Sequence, residues 1–237
     1  MAAVLLVAGI KGGVGKSTLA VHLIESLRER GLRVGGIDAD PAQSVLMRYE
    51  QSAKRQGNTP APHVRVGIDH LTKPDQTLRA CQVIVMDCAA GMASADLLQW
   101  ADVLICPVTD SVIDINLVVQ FDRDQPRPSP LAEAVHEARK LRVRQGMNTL
   151  RWLVVRNRID ARATRQYKQF HAILATGESR FGYQVIPGIR ERILYRHAFM
   201  QGRTVFDSSS LSLATLAARQ EIRQLTDTIL DGVVLKA

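Results

Sequence analysis

"VLLVAGIKGGVGKSTLAVHLI", Val4 to Ile24, carries an apolar run, then a glycine-rich turn, then an amphipathic run. That order reads as strand, tight turn and helix. The glycines of "KGGVGKST" let backbone N–H groups turn inward around an anion, and the helix that follows offers its positive N-terminus to the same anion. Lys16 is placed to reach the β- and γ-phosphates of a nucleotide, and the Ser17 hydroxyl suits Mg²⁺. Gly12, Gly13, Val14, Gly15, Lys16, Ser17 and Thr18 are therefore the expected nucleotide cradle. The strict pattern G-x-x-x-x-G-K-[ST] nevertheless fails, because Ile10 stands at its first glycine position. The next position carries a second lysine, Lys11.

Outward from this stretch the alternation of strand and helix continues. Val4–Ala8 is the first apolar strand, and the helix after Lys16 ends at Gly31. Arg33–Ile37 reads as a second strand that delivers Asp38 and Asp40 at its carboxyl end. A polar helical stretch, Gln43 to Gln56, precedes a short strand at Val64–Ile68. "VIVMD" (Val83–Asp87) and "VLICPV" (Val103–Val108) are buried-strand runs, each leading into a turn and a helix. "QPRPSP" (Gln125–Pro130) reads as a surface loop, since proline suits neither a helix interior nor a central strand. "LRWLVV" (Leu150–Val155) and "YQVIP" (Tyr183–Pro187) add two strands, and Leu211–Leu230 a long closing helix. Continuous apolar strands separated by helices imply an α/β fold, a doubly wound, mainly parallel sheet flanked by helices on both faces. One such domain over residues 1–237 accounts for the whole chain. Ligands of these sheets bind beyond the carboxyl ends of the strands, where Lys16, Asp38, Asp40 and Asp87 all fall.

The chain of 237 residues is 46% hydrophobic, with no apolar run near the ~20 residues of a membrane span. The N-terminus reads directly into a strand, without a secretory pattern, and the expected compartment is the cytoplasm. Cys81, Cys88 and Cys106 lack metal-type spacing and read as reduced, buried thiols. The net charge of +8 is placed unevenly: residues 1–118 hold 11 Lys and Arg against 12 Asp and Glu, residues 119–237 hold 20 against 11. Such asymmetry points to a polyanion-binding face, nucleic acid before an anionic membrane.

The motif K-G-G-x-G-K-[ST] resembles that of the ParA/MinD group of P-loop ATPases. In that group the early lysine, here Lys11, reaches across a nucleotide-sandwich dimer to the partner's ATP. A cation supplied by a second subunit makes dimerisation conditional on the γ-phosphate. The resemblance implies catalytic roles for Lys11, Lys16 and Asp40, the last of them orienting or activating the attacking water. It implies Mg²⁺ held through Ser17, Asp38 and the Walker B carboxylate Asp87. It places Asn157 against adenine, with Arg158 and Pro187 also among the nucleotide-binding residues. One departure stands out: where the group has Asp-Thr-Pro or a close variant, this chain has Asp87-Cys88-Ala89.

"PVTDSVIDINLV" (Pro107–Val118), "WLVVRNRID" (Trp152–Asp160), "GIRERILYRHAF" (Gly188–Phe199) and "LAARQEIRQL" (Leu216–Leu225) resemble the MipZ branch of the group. That likeness implies a slow, Mg²⁺-dependent ATPase that forms a homodimer with ATP, associates with the nucleoid through non-specific duplex DNA, and works with ParB-like and FtsZ-like proteins to place the division plane. Arg190, Arg192, Arg196, Arg203, Arg219 and Arg223 form the candidate DNA set, and arginine–phosphate contacts give affinity without base readout. A ParA-type partition ATPase for another cargo is the first alternative. A MinD-like membrane-cycling ATPase is the second, but the tail "TDTILDGVVLKA" carries two Asp and one Lys and suits anionic lipid poorly, so no stable membrane association is expected. A metal-cluster relative would need cysteines presented at a dimer interface, and only Cys88 is placed to qualify.

Overall fold

Leu5 and Val7 face one side of the first strand, Leu6 and Ala8 the other, and all four are fully buried. This strand, β1 (Ala3–Val7), therefore sits in the middle of the sheet with helices on both sides. The computed structural model describes residues 2–40, 42–65, 78–123, 125–158, 165–208 and 212–235. Its main sheet has seven strands: β1, β2 (Val34–Ala39), β3 (His63–Arg65), β4 (Val83–Cys88), β5 (Val103–Val108), β8 (Arg151–Arg156) and β9 (Tyr183–Pro187). Their order is β3-β2-β4-β1-β5-β8-β9, and every pairing is parallel. Of the expected Val64–Ile68 strand, residues 66–68 lie outside the described residues, as does Leu211 of the closing helix.

Side chains divide by parity along each strand, as a period of two requires. Val83, Val85, Val103, Ile105, Leu153 and Val155 pack with α1 (Lys16–Glu29) and with Ala218, Ile222, Leu225 and Ile229 of α8 (Leu213–Leu230). α2 (Val45–Arg55) adds Leu46 and Tyr49 to this layer, and α7 (Ile193–Met200) adds Tyr195. Met86, Leu104, Trp152 and Val154 face the other way, towards α3 (Ala95–Leu98), α5 (Pro130–Arg144) and α6 (Arg165–Phe181). The helices α3, α5 and α8 begin at a capping serine. Ser129 Oγ accepts from Ala132 N at 3.1 Å with Pro130 as the first helical residue, and Ser212 Oγ accepts from Thr215 N at 3.2 Å.

The expected loop at Gln125–Pro130 is in part a strand. β6 (Val119–Asp122) pairs antiparallel with β7 (Gln125–Pro128) in a separate two-stranded ribbon after the short helix α4 (Val112–Asn116). Pro126 and Pro128 are two residues apart, so their missing N–H groups share one edge of β7, where an edge strand tolerates them. Proline bars this segment from a central strand, as expected, but leaves an edge strand open to it.

Order along the sheet fixes where a ligand can lie. The chain leaves β1 for β2 on one side and returns to β5 on the other, so the carboxyl end of β1 is the topological switch point. The glycine-rich turn occupies that point.

Candidate functional site at the switch point

Gly13 and Gly15 have φ of 81° and 91°, a region that residues with a Cβ resist. At Gly15 a Cβ would also stand 2.6 Å from Asn157 Nδ2. The loop is held from outside by the end of β8. Asn157 Nδ2 donates to Val14 O at 2.8 Å, and Arg158 Nη1 donates to Gly13 O at 2.9 Å. In a trans peptide the C=O and the next N–H point in opposite directions. Drawing those two carbonyls outward therefore turns the N–H groups of Val14 and Gly15 inward. Asn157 and Arg158, both expected among the nucleotide contacts, hydrogen-bond carbonyls of the loop itself. Pro187 ends β9 beside them, in register with Arg156.

The two lysines point differently. Lys16 is only 8% exposed, and its Nζ donates to Lys11 O at 2.8 Å, folded over its own loop. Lys11 leaves the loop: its side chain is 43% exposed and its Nζ lies 2.9 Å from Asp114 Oδ1. Asp114, on α4, is buried, and its Oδ2 accepts from Thr109 N at 3.0 Å and from the Thr109 hydroxyl. Beside it Val112 and Ile113 are exposed, the latter at 64%. Asp114 escaped the sequence reading, although it lies in a quoted stretch just past a strand's carboxyl end.

The carboxylates of the site have three different environments. Asp38 Oδ1 accepts from Asp40 N at 3.2 Å, and Asp38 Oδ2 from Met47 N at 3.1 Å. Asp40 Oδ1 accepts from Ala42 N and Gln43 N, both at 3.0 Å. These two side chains thus satisfy donors of the turn that opens α2, which a helix start leaves orphaned. Asp87 is buried, and neither of its oxygens has a hydrogen-bond partner among the described residues. Burial pushes its carboxyl up to about 7; the charges of Asp38 and Asp40 add to the rise, while the neighbouring Ser17 hydroxyl, short of hydrogen-bond geometry, and Lys16 oppose it. A buried, unpartnered carboxylate near a hydroxyl fits Mg²⁺, which takes one or two protein oxygens and completes its shell with water and phosphate. Cys88 and Cys106 are buried, and burial pushes both thiols up to about 12, so they stay protonated. Cys81, expected to be buried, is half-buried.

The six candidate arginines do not form one free surface. Arg192 Nη2 meets Glu221 Oε1 at 2.6 Å, and Arg190 Nε meets the same oxygen at 3.4 Å. Arg196 lies 3.5 Å from Glu191, and Arg223 lies 3.1 Å from Glu29. Arg219 donates to the carbonyls of Val205, Phe206 and Ser208 and ties that turn to α8. Arg203 is exposed just beyond α7. A charge count along the sequence cannot see these acidic and carbonyl partners.

Comparison with known proteins agrees with this architecture. The family model for the ATPase MipZ matches residues 51–231. The chain belongs to the MipZ ATPase family. A second model, described as an NUBPL iron-transfer P-loop NTPase, matches residues 1–74, which include the glycine-rich loop that the MipZ model leaves outside its span. Among curated proteins, the maintenance of carboxysome distribution protein A of Halothiobacillus neapolitanus is 28% identical over 234 residues, covering 95% of each chain. A solved structure of apo McdA from Cyanothece has a TM-score of 0.63 at 16% identity, over 97% of this chain and 100% of that one. A putative plasmid partition protein from Borrelia burgdorferi, bound to AMPPNP, has a TM-score of 0.61 at 17% identity, over 98% and 100%. MinD in its complex with MinC, from Aquifex aeolicus, gives 0.58 at 18%, over 100% and 98%. These structures share the fold. This MipZ-family chain is a P-loop ATPase of the ParA/MinD type.

Proposed function

We propose that the chain is a Mg²⁺-dependent ATP switch over a single domain, monomeric without ATP and a DNA-competent homodimer with it. The observation that carries this reading is the direction of Lys11. A lysine serving its own phosphates would fold inward as Lys16 does. Lys11 instead rests on Asp114 at the outer rim, among exposed apolar side chains, where a second subunit's triphosphate can draw it off.

Within one subunit each group has a separable task. The inward N–H groups of the loop cradle phosphate oxygens, and Lys16 leaves Lys11 O to meet the β- and γ-phosphates. Ser17, Asp38 and Asp87 would hold Mg²⁺, which would neutralise phosphate charge. Asp40 orients the attacking water, which requires its carboxylate to exchange the Ala42 and Gln43 amides for that water. Size-exclusion chromatography of Asp40→Asn, which retains an acceptor for the turn, with ATP, with ADP and without nucleotide tests the cycle. A monomer under all three conditions rejects it.

The exposed arginines of the second half supply sequence-independent contacts to duplex DNA, and the chain works at the nucleoid. The MipZ family membership favours control of an FtsZ-like polymer with a ParB-like recruiter. The carboxysome-distribution relative, alike over 95% of both chains, favours the second reading, in which the same switch positions a cargo. Adding the ATP-locked dimer to polymerising FtsZ separates the two: shortened polymers support the first, unchanged polymers the second. A MinD-like membrane cycle is less favoured. The tail after Leu225 carries two Asp and one Lys and suits anionic lipid poorly, and Ile222, Leu225 and Ile229 of α8 pack into the core, although Leu213 and Leu216 of the same helix are exposed.

A further inference from the structure

Glu191 stands between the phosphate loop and the arginine face. Its Oε1 accepts from Arg158 Nη2 at 2.7 Å and from Arg196 Nη2 at 3.5 Å. Arg158 uses its other terminal nitrogen to hold Gly13 O at 2.9 Å. One carboxylate oxygen is thus shared by a cation that shapes the loop and a cation that faces solvent. The segment bearing Glu191 is fixed from two sides. Arg190 N and the Arg192 guanidinium bond to Glu221 of α8. Gly188 lies so close to β8 that a Cβ there would come 2.3 Å from Arg156 O.

We propose that Glu191 is a positioning residue that couples occupancy of the arginine face to nucleotide affinity within a single subunit. Arg158 and Arg196 compete for its charge. An anion that draws Arg196 away, such as a DNA phosphate, leaves Glu191 to Arg158 alone. Arg158 then holds Gly13 O more firmly, and the Val14 N–H stays turned towards the phosphate. Nucleotide binding tightens, and by linkage DNA binding tightens by the same factor when nucleotide is present. The members are exposed, so the factor is about two- to fivefold, in line with exposed ion pairs. This coupling acts before dimerisation and adds to whatever pairing two faces contributes. It rests on the DNA-binding reading above only for the identity of the anion.

A double-mutant cycle tests the coupling without DNA. ADP dissociation constants are measured by calorimetry for the Lys11→Ala protein, which keeps the comparison monomeric, and for its R196A, E191Q and R196A/E191Q derivatives. R196A is expected to tighten ADP binding about two- to fivefold when Glu191 is present, and to lose that gain when E191Q accompanies it. Equal effects of R196A in the two backgrounds overturn the coupling. A second arm adds a random-sequence duplex to the Lys11→Ala protein. Tightening of ADP by the duplex, abolished by E191Q, supports the whole proposal. A positive cycle with no effect of duplex upholds Glu191 as the coupler and removes DNA as the anion.

Discussion

Lys11 Nζ and Asp114 Oδ1 are 2.9 Å apart, and the aspartate is buried while the lysine is half in solvent. The pair is therefore a resting place that a stronger anion can empty. Asp114→Asn keeps an acceptor for Thr109 but removes the charge that retains Lys11. We expect ATP-dependent dimers of this variant to form at about tenfold lower protein concentration, the equivalent of about 1.4 kcal/mol. Sedimentation velocity across a concentration series reads this directly, and an unchanged midpoint denies the pair any hold on dimerisation.

The two lysines should fail separately. Lys16→Ala removes the only loop cation folded over its own cradle, so ATP binding should be lost. Lys11→Ala should keep monomer affinity for ATP within about threefold, since exposed charges contribute little locally, and should not dimerise. Fluorescent-nucleotide titration together with light scattering distinguishes the two. Wild-type dimerisation of Lys11→Ala would reassign this lysine to its own loop.

Asp40 holds the turn as well as any water. Its Oδ1 caps Ala42 and Gln43, so Asp40→Ala alone confounds chemistry with loosening of α2. Asp40→Asn retains an acceptor for the turn. Both variants should bind ATP, and both should lower turnover by on the order of 10²-fold. Near-normal turnover in Asp40→Asn would show that the turn, not the carboxylate's charge, is what matters.

Among the arginines, effects on DNA and on stability should part company. Arg196→Glu and Arg203→Glu alter exposed side chains and should weaken duplex binding while leaving the melting temperature within about a degree or two, as surface changes do. They should also flatten the logarithmic salt dependence by about 0.9 for each DNA phosphate left unneutralised. Arg192→Glu instead puts a second carboxylate against Glu221, 2.6 Å from the present guanidinium, and should lower the melting temperature. Salt-dependent binding isotherms beside thermal melts give both readouts. Identical salt slopes in all variants would remove these residues from the interface.

His22 makes stability depend on pH. It is fully buried in α1, its Nδ1–H donates to Thr18 O at 2.8 Å, and its Nε2 has no hydrogen-bond partner among the described residues. Burial lowers its pKa from 6.5 to about 4, the Thr18 carbonyl and Asp207 opposing. The unfolded chain takes up a proton that the folded chain refuses between those two values. Stability is thus intact above pH 6.5 and falls as pH drops towards 4, by up to about 3 kcal/mol. Urea melts at about pH 7.5 and about pH 5 should show this loss, and His22→Gln should reduce it. An equal loss in His22→Gln would assign the acid sensitivity to other groups.

Local chemistry was legible in the sequence and partnership was not. The strand, loop and helix from Val4 to Ile24 are legible because glycine conformation and apolar period act over a few residues. Asp114 and Glu191 could not be read, because their importance lies in cations brought to them by distant strands. Arg219 reads in the sequence as a candidate DNA contact, and only the fold turns it onto three carbonyls of the 205–208 turn. At Gln125–Pro130 the limit was different: proline forbids a ladder bond on one edge, and the sequence does not say which edge is free.

The central place of β1 sets a timetable for the chain as it is made. Its first strand needs β4 on one side and β5 on the other, and the loop that follows is braced by Asn157 and Arg158. Synthesis must therefore reach Asn157 and Arg158 at the end of β8 before the glycine-rich loop is braced. A nascent fragment that stops short of Arg158 carries the glycine-rich motif without that brace.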